Sequence, residues 1–67
     1  MIKISINGNV EKYNNPLSLS ELLEALRLEG KKIAIECNGE IVPRGVHAST
    51  LLRDGDRLEI VVAVGGG

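Results

Sequence analysis

The chain closes on Ile60-Val61-Val62-Ala63-Val64-Gly65-Gly66-Gly67. The apolar part, Ile60 to Val64, is mostly β-branched and has no polar interruption, so it reads as a buried strand. The glycines after it have no side chain to pack and cost entropy to order, so the strand is expected to stop at Val64. We therefore read residues 1–64 as one folded domain and residues 65–67 as a flexible tail whose last group is a free carboxylate. Three extended residues reach about 10 Å, enough to pass a carboxyl group into another protein's cleft. Without Cβ atoms, the tail enters a slot too narrow for any other residue. A frayed terminus or a cloning remnant is the plain alternative, but such remnants rarely follow a core strand without a polar spacer.

Upstream, Leu58, Ile60, Val62 and Val64 line one face of this strand and Glu59, Val61 and Ala63 the other. Asp54-Gly55-Asp56 forms the turn that feeds it. At the other end of the chain, Ile2, Ile4 and Ile6 alternate with Lys3 and Ser5, a half-buried strand with the isoleucines inward. Asn7-Gly8 signals a tight hairpin turn because both residues tolerate positive φ. Val10 to Tyr13 returns as a second strand and Asn14-Asn15-Pro16 closes it. Ser18 with Glu21 three residues on is a capping box, and Leu17 and Leu22 are placed for a hydrophobic staple. Leu19, Leu22, Leu23 and Leu26 then fall on one helical stripe. Gly30 is the expected left-handed stop, with Lys31 and Lys32 near the negative helix end. Ile33, Ile35 and Cys37 make a third strand; Asn38-Gly39 is a second tight turn; Glu40 to Val42 is a short fourth strand that Pro43 confines to a sheet edge. Residues 44–52 have no clean period and read as a loop with one helical turn. Strands flanking a single helix give an α+β class with a mixed sheet covered on one face. The other face is left partly bare. There Val61, Ala63 and Ala34 form a small apolar patch flanked by Lys3 and Glu36, read equally as an interaction surface or as scattered surface residues.

Sixty-seven residues bury only about 60% of the unfolded surface and leave little chain to enclose a large pocket. That weighs against a self-sufficient enzyme. The net charge is −1 with both signs dispersed, and Tyr13 is the only aromatic residue, so a nucleic-acid surface is not expected. One cysteine fits a reducing cytosol, and we expect a cytoplasmic protein with no signal peptide and no membrane span. The lone His47 reads as a surface residue and Cys37 as a small core residue. One His and one Cys do not complete a structural zinc site, and no Gly-Lys-Ser/Thr marks a phosphate loop. The unusual group is the Gly67 carboxylate. It is ionised at neutral pH, its intrinsic pKa being about 3.5, and its charge repels nucleophiles until it is activated, for instance as an acyl-adenylate. The chain carries no nucleotide-binding elements, so activation falls to a partner enzyme.

The hairpin, single helix, further strands and terminal Gly-Gly resemble the ubiquitin-like β-grasp proteins. The segment Asn38-Gly39-Glu40-Ile41-Val42-Pro43-Arg44, the run Asp54-Gly55-Asp56-Arg57-Leu58-Glu59-Ile60 and the tail look most like the ThiS family of thiamine-biosynthesis sulfur carriers. The resemblance covers essentially the whole chain. It implies a β-grasp sheet of four to five strands whose first and last strands lie side by side, parallel, at the centre. It also implies a function as a protein cosubstrate rather than an enzyme. A ThiF-like E1-type enzyme adenylates Gly67 with ATP and magnesium, which this chain does not itself bind. Sulfur from a cysteine desulfurase persulfide makes the thiocarboxylate, and a ThiG-like thiazole synthase receives it. Gly65 and Gly66 then form the arm for the partner's active site, and Val61, Ala63 and Ala34 the docking patch. Molybdopterin synthase small subunits share the fold and the thiocarboxylate chemistry. A TGS-like binding module has the fold with an inert tail, and a ubiquitin-like modifier would place Gly67 in an isopeptide bond.

Overall fold

A computed structural model describes residues 1–63. Val64, Gly65, Gly66 and Gly67, on which the expectations for the strand end and the tail rest, lie outside the described residues. Among the described residues the order is β1 (Ile2–Ile6), β2 (Asn9–Tyr13), α1 (Leu19–Ala25), β3 (Ile33–Cys37), β4 (Glu40–Ile41), a 3-10 helix (Arg44–Ser49) and β5 (Arg57–Val62). The strands form one five-stranded sheet in the order β2-β1-β5-β3-β4. β1 and β5 are parallel and central, and the other pairings are antiparallel.

Both hairpins follow from their Asn-Gly pairs. Asn7 (φ 50°) with Gly8 (φ 86°), and Asn38 (φ 52°) with Gly39 (φ 88°), place two consecutive residues at positive φ. That backbone twist matches the right-handed twist of the flanking strands. The capping box forms as read. The Glu21 N–H donates to Ser18 Oγ at 3.1 Å, and the Ser18 N–H donates to Glu21 Oε1 at 2.7 Å. Leu19, Leu22 and Leu23 point from α1 into a core shared with Ile2, Ile4, Ile35, Leu58 and Ile60. Ile4 of β1 and Ile60 of β5 thus meet the same helix stripe, with Leu26 packed at its margin.

Two local expectations are corrected and one is extended. The helix stops at Arg27 rather than Gly30. Arg27 takes φ 59°, its N–H donates to the Glu24 carbonyl, and the Leu28 N–H reaches the Leu23 carbonyl at 2.8 Å. This is a Schellman closure with arginine in the position glycine usually holds. Gly30 (φ 79°) serves a second turn, where the Lys31 N–H donates to the Leu28 carbonyl. Lys31 and Lys32 therefore lie beyond the helix end. Second, His47 is buried, not on the surface. The 3-10 helix tucks its ring inward, and Nε2 lies 3.2 Å from the Val42 carbonyl oxygen. The segment without a clean period forms its helical turn, as the 3-10 helix, and beyond that reading contributes Leu52 to the core at 0% exposure. It does so because the Leu19 N–H donates to the Thr50 carbonyl and the Leu52 N–H to the Leu17 carbonyl, tying residues 50–52 to the helix start.

Candidate functional site

The uncovered face of the sheet is defined by alternation and register. On β5 the outward side chains are Arg57, Glu59 and Val61. Register sets Ser5 of β1 beside Arg57 with Val10 of β2 on the far side of Ser5, Glu36 of β3 beside Glu59, and Ala34 beside Val61. The Ala34–Val61 pair is the centre of the patch expected from the sequence. Val61 is 65% exposed, and Ala34 and Ala63 are also exposed. Ala63 continues the pairing beyond β5, its N–H donating to the Lys32 carbonyl at 2.8 Å. The structure therefore brings Val61, Ala63 and Ala34 together at the end of the described part of the last strand.

The flanking charges differ from expectation. Glu36 borders the patch, as does Glu59, its register partner on β5. Lys3 does not. β1 runs parallel to β5, so Lys3 lies level with the turn that precedes β5, where its carbonyl accepts from the Gly55 N–H and its own N–H donates to Asp54 Oδ1. Val61 lies six residues along the chain from Gly55 at that level, about 20 Å of extended chain. The patch rim is thus acidic, and the Lys3–Lys12 pair marks the far end of the face.

Ile41 is a patch residue that the sequence reading missed. It sits on β4 opposite Glu36 and is 66% exposed. The signal was present: a two-residue turn at Asn38-Gly39 pairs Cys37 with Glu40 and Glu36 with Ile41, which puts Ile41 on the face of Ala34. Ile41 lies level with the Glu36–Glu59 row and diagonal to Ala34, so Ile41, Ala34, Val61 and Ala63 make an apolar strip that runs obliquely over β4, β3 and the end of β5, with Glu36 on its flank.

The internal groups that chemistry might use are otherwise engaged. Cys37 is half-buried; its thiol pKa is pushed up by burial and then by the Asp56 and Glu40 carboxylates, which disfavours the thiolate. Tyr13 is likewise raised, by burial and then by Glu11. Among the described residues no three His, Cys, Asp or Glu side chains gather as a metal site, and no helix is long and apolar enough to cross a membrane. A shallow depression of about 380 Å³ lies between the end of α1 and the 3-10 helix, lined by Leu23, Leu28, Ile33, Arg44 and His47 among others. Arg44 is committed there, donating from Nη2 to the Lys31 carbonyl at 3.1 Å.

Comparison with known proteins gives one consistent direction. The profile of the ThiS family matches residues 4–67. A thiazole synthase of Paramagnetospirillum magneticum is 39% identical over 66 residues, which cover 98% of this chain but only 20% of that protein. The chain thus spans about a fifth of that relative's length. The sulfur carrier protein ThiS of Bacillus subtilis is 34% identical over 65 residues, 96% of this chain and 98% of that one. Among solved structures, the crystal structure of a thiamine biosynthesis protein (ThiS) from Geobacter metallireducens superposes with a TM-score of 0.83 at 30% identity, over 98% of this chain and 100% of that chain.

Proposed function

The chain belongs to the ThiS family, in its β-grasp fold, and from that membership we propose that it is a sulfur carrier of thiamine biosynthesis that presents sulfur as a thiocarboxylate on Gly67. The observation that carries this reading is a family match extending through residue 67, and so including the terminal glycines. The near full-length similarity to a curated sulfur carrier supports it. The chain acts as a cosubstrate in the cytoplasm. The chemistry is done by its partners, and ATP and magnesium are bound there.

The order of steps follows from the carboxylate. Its oxygen attacks the α-phosphorus of ATP on an E1-type, ThiF-like enzyme and pyrophosphate leaves. The adenylate carbonyl is now electrophilic. The terminal sulfur of a cysteine desulfurase persulfide attacks it and AMP departs; a thiol then cleaves the remaining S–S bond and frees the thiocarboxylate. That group is a soft nucleophile, suited to delivering sulfur to a thiazole synthase. Two thiazole synthases contain a segment similar to this entire domain, which supports that enzyme class as the recipient. Ile41, Ala34, Val61 and Ala63 form the docking strip, because they are exposed and apolar on one face, and Val61 and Ala63 shortly precede the arm in the sequence.

The direct test is ATP–pyrophosphate exchange with a purified ThiF-like enzyme. Exchange should require this chain and disappear when Gly67 is deleted. Exchange that persists without Gly67 would contradict the assignment of the reacting carboxylate.

A further inference from the structure

Two asparagines grip β5 through their side chains, one at its start and one near its end. Asn38 Oδ1 accepts from the Arg57 N–H at 2.9 Å, and its Nδ2 donates to Asp56 Oδ1 at 3.0 Å. Asn7 binds both backbone groups of a single residue: Oδ1 accepts from the Ile60 N–H at 2.7 Å and Nδ2 donates to the Ile60 carbonyl at 3.1 Å. The backbone ladder from β1 has just ended. The Ser5 N–H donates to the Asp56 carbonyl and the Asn7 N–H to the Leu58 carbonyl. The next step would need a residue that has already turned away into the β1–β2 hairpin. The Asn7 carboxamide has the donor and acceptor of a peptide group, and it supplies that missing step. Beyond Ile60, the described strand is held from the other side, by β3 through the Ala34–Val61 and Ile33–Val62 pairs and by the Lys32 carbonyl.

The geometry points to Asn7 as a positioning residue that fixes the direction in which β5 delivers the C-terminal arm. This inference rests on the carrier reading above, since it concerns the aim of Gly67. The last backbone bond of the described strand is at Ala63, four residues before Gly67. Four residues extended in a partner's cleft span about 13 Å, so a tilt of about 10° in the strand that carries them moves the end by about 2 Å. Displacements of about 1 Å already cost large factors in rate where near-attack geometry is required. Asn7 thus acts on the reaction through the strand, without touching the reacting atoms, and its replacement removes no side chain of the docking strip.

The two asparagines supply their own control, because they have matching turns, each at positive φ before a glycine. Asn7→Gly and Asn38→Gly both keep the turn and lose the grip. For Asn7→Gly, amide exchange at Ile60 should rise about tenfold relative to Leu22, and residual dipolar couplings of Val61 to Ala63 should depart from those of the core. In pyrophosphate exchange with the activating enzyme its kcat should fall about tenfold, with KM within about twofold. Asn38→Gly should leave kcat unchanged. Asn7→Asp keeps the acceptor but sets a carboxylate oxygen against the Ile60 carbonyl. Its Ile60 N–H should stay protected, while the Val61 to Ala63 couplings should depart from the core at neutral pH and return on acidification, when the protonated carboxyl again carries a donor. The inference is overturned if Ile60 exchange is unchanged in Asn7→Gly, or if both glycine variants lower kcat alike in step with lost stability. A change in KM alone would also overturn it. A wild-type chain that no activating enzyme adenylates would instead refute the carrier reading. The exchange and coupling measurements need no partner and would still decide whether Asn7 directs the strand.

Discussion

Replacing Val61 with Asp separates folding from docking. Val61 is 65% exposed, and its direct register neighbour is the small, uncharged Ala34. An aspartate there meets no steric obstacle and stays hydrated. It loses β propensity, a scale that spans about 1 kcal/mol in total. It also gains like-charge neighbours, Glu59 two residues earlier on the same face and Glu36 diagonally across, at a few tenths of a kcal/mol each. The folding cost should therefore be about 1 kcal/mol, read as a small drop in urea midpoint. Docked against an activating enzyme, the same carboxylate is desolvated without a partner, and uncompensated burial of this kind costs at least about 2 kcal/mol. That corresponds to about a 30-fold rise in KM for the carrier in pyrophosphate exchange. Val61→Thr keeps the branched shape and should stay near wild type in both assays. A folded Val61→Asp protein with KM within twofold of wild type would refute the docking strip.

Other outcomes follow from the core and the thiol. Leu22→Ala should cost about 3–5 kcal/mol and Leu23→Ala about 2–3 kcal/mol, because Leu22 is 0% exposed while Leu23 is 6% exposed and borders the depression beside α1, where the gap can relax. Urea unfolding checks the order, and a larger loss at Leu23 would contradict the packing. Ile41→Asp should weaken docking as Val61→Asp does, whereas Val10→Asp, at the far end of the face, should leave KM unchanged. Because burial and then Asp56 and Glu40 raise the Cys37 pKa above its ordinary 9.0, the alkylation rate should titrate at higher pH than that of an unstructured cysteine peptide. The same shift contributes stability that is complete below the ordinary thiol value and is lost as pH rises through the folded-state value. The wild-type urea midpoint should accordingly fall relative to Cys37→Ser in that alkaline window.

Local rules that act over two to four residues were legible in the sequence. The isoleucine alternation, both Asn-Gly turns and the Ser18–Glu21 box depend on near neighbours, and each formed as read. The central parallel pairing of β1 and β5 came from the family resemblance, and it decides which residues share an end of the sheet. Without its direction, Lys3 was placed beside a patch that lies six residues further along the chain than the turn Lys3 bonds to. Arg27 escaped notice because left-handed closure by a non-glycine leaves no compositional mark. His47 and Leu52 lie where no period exists, and they are buried by backbone bonds to the helix start and by a ring contact to Val42. The asparagines were legible as turns but not as clamps, since the Asn7–Ile60 bonds join positions 53 residues apart. In the candidate site, alternation alone placed Val61, Ala63 and Ala34 on the open face, while Ile41 needed the register across the second turn.

The central claim is that Gly67 carries the sulfur, and intact-protein mass spectrometry tests it most directly. The chain is incubated with a ThiF-like enzyme, ATP, magnesium, a cysteine desulfurase and cysteine, then fragmented to locate the change. The account predicts exchange of one oxygen for one sulfur at Gly67. It predicts the same result in Cys37→Ser, and near-abolition when Gly67 is deleted, since Gly66 offers an equivalent carboxylate with about 3.5 Å less reach. Sulfur found on Cys37 instead, or full modification without Gly67, would contradict it.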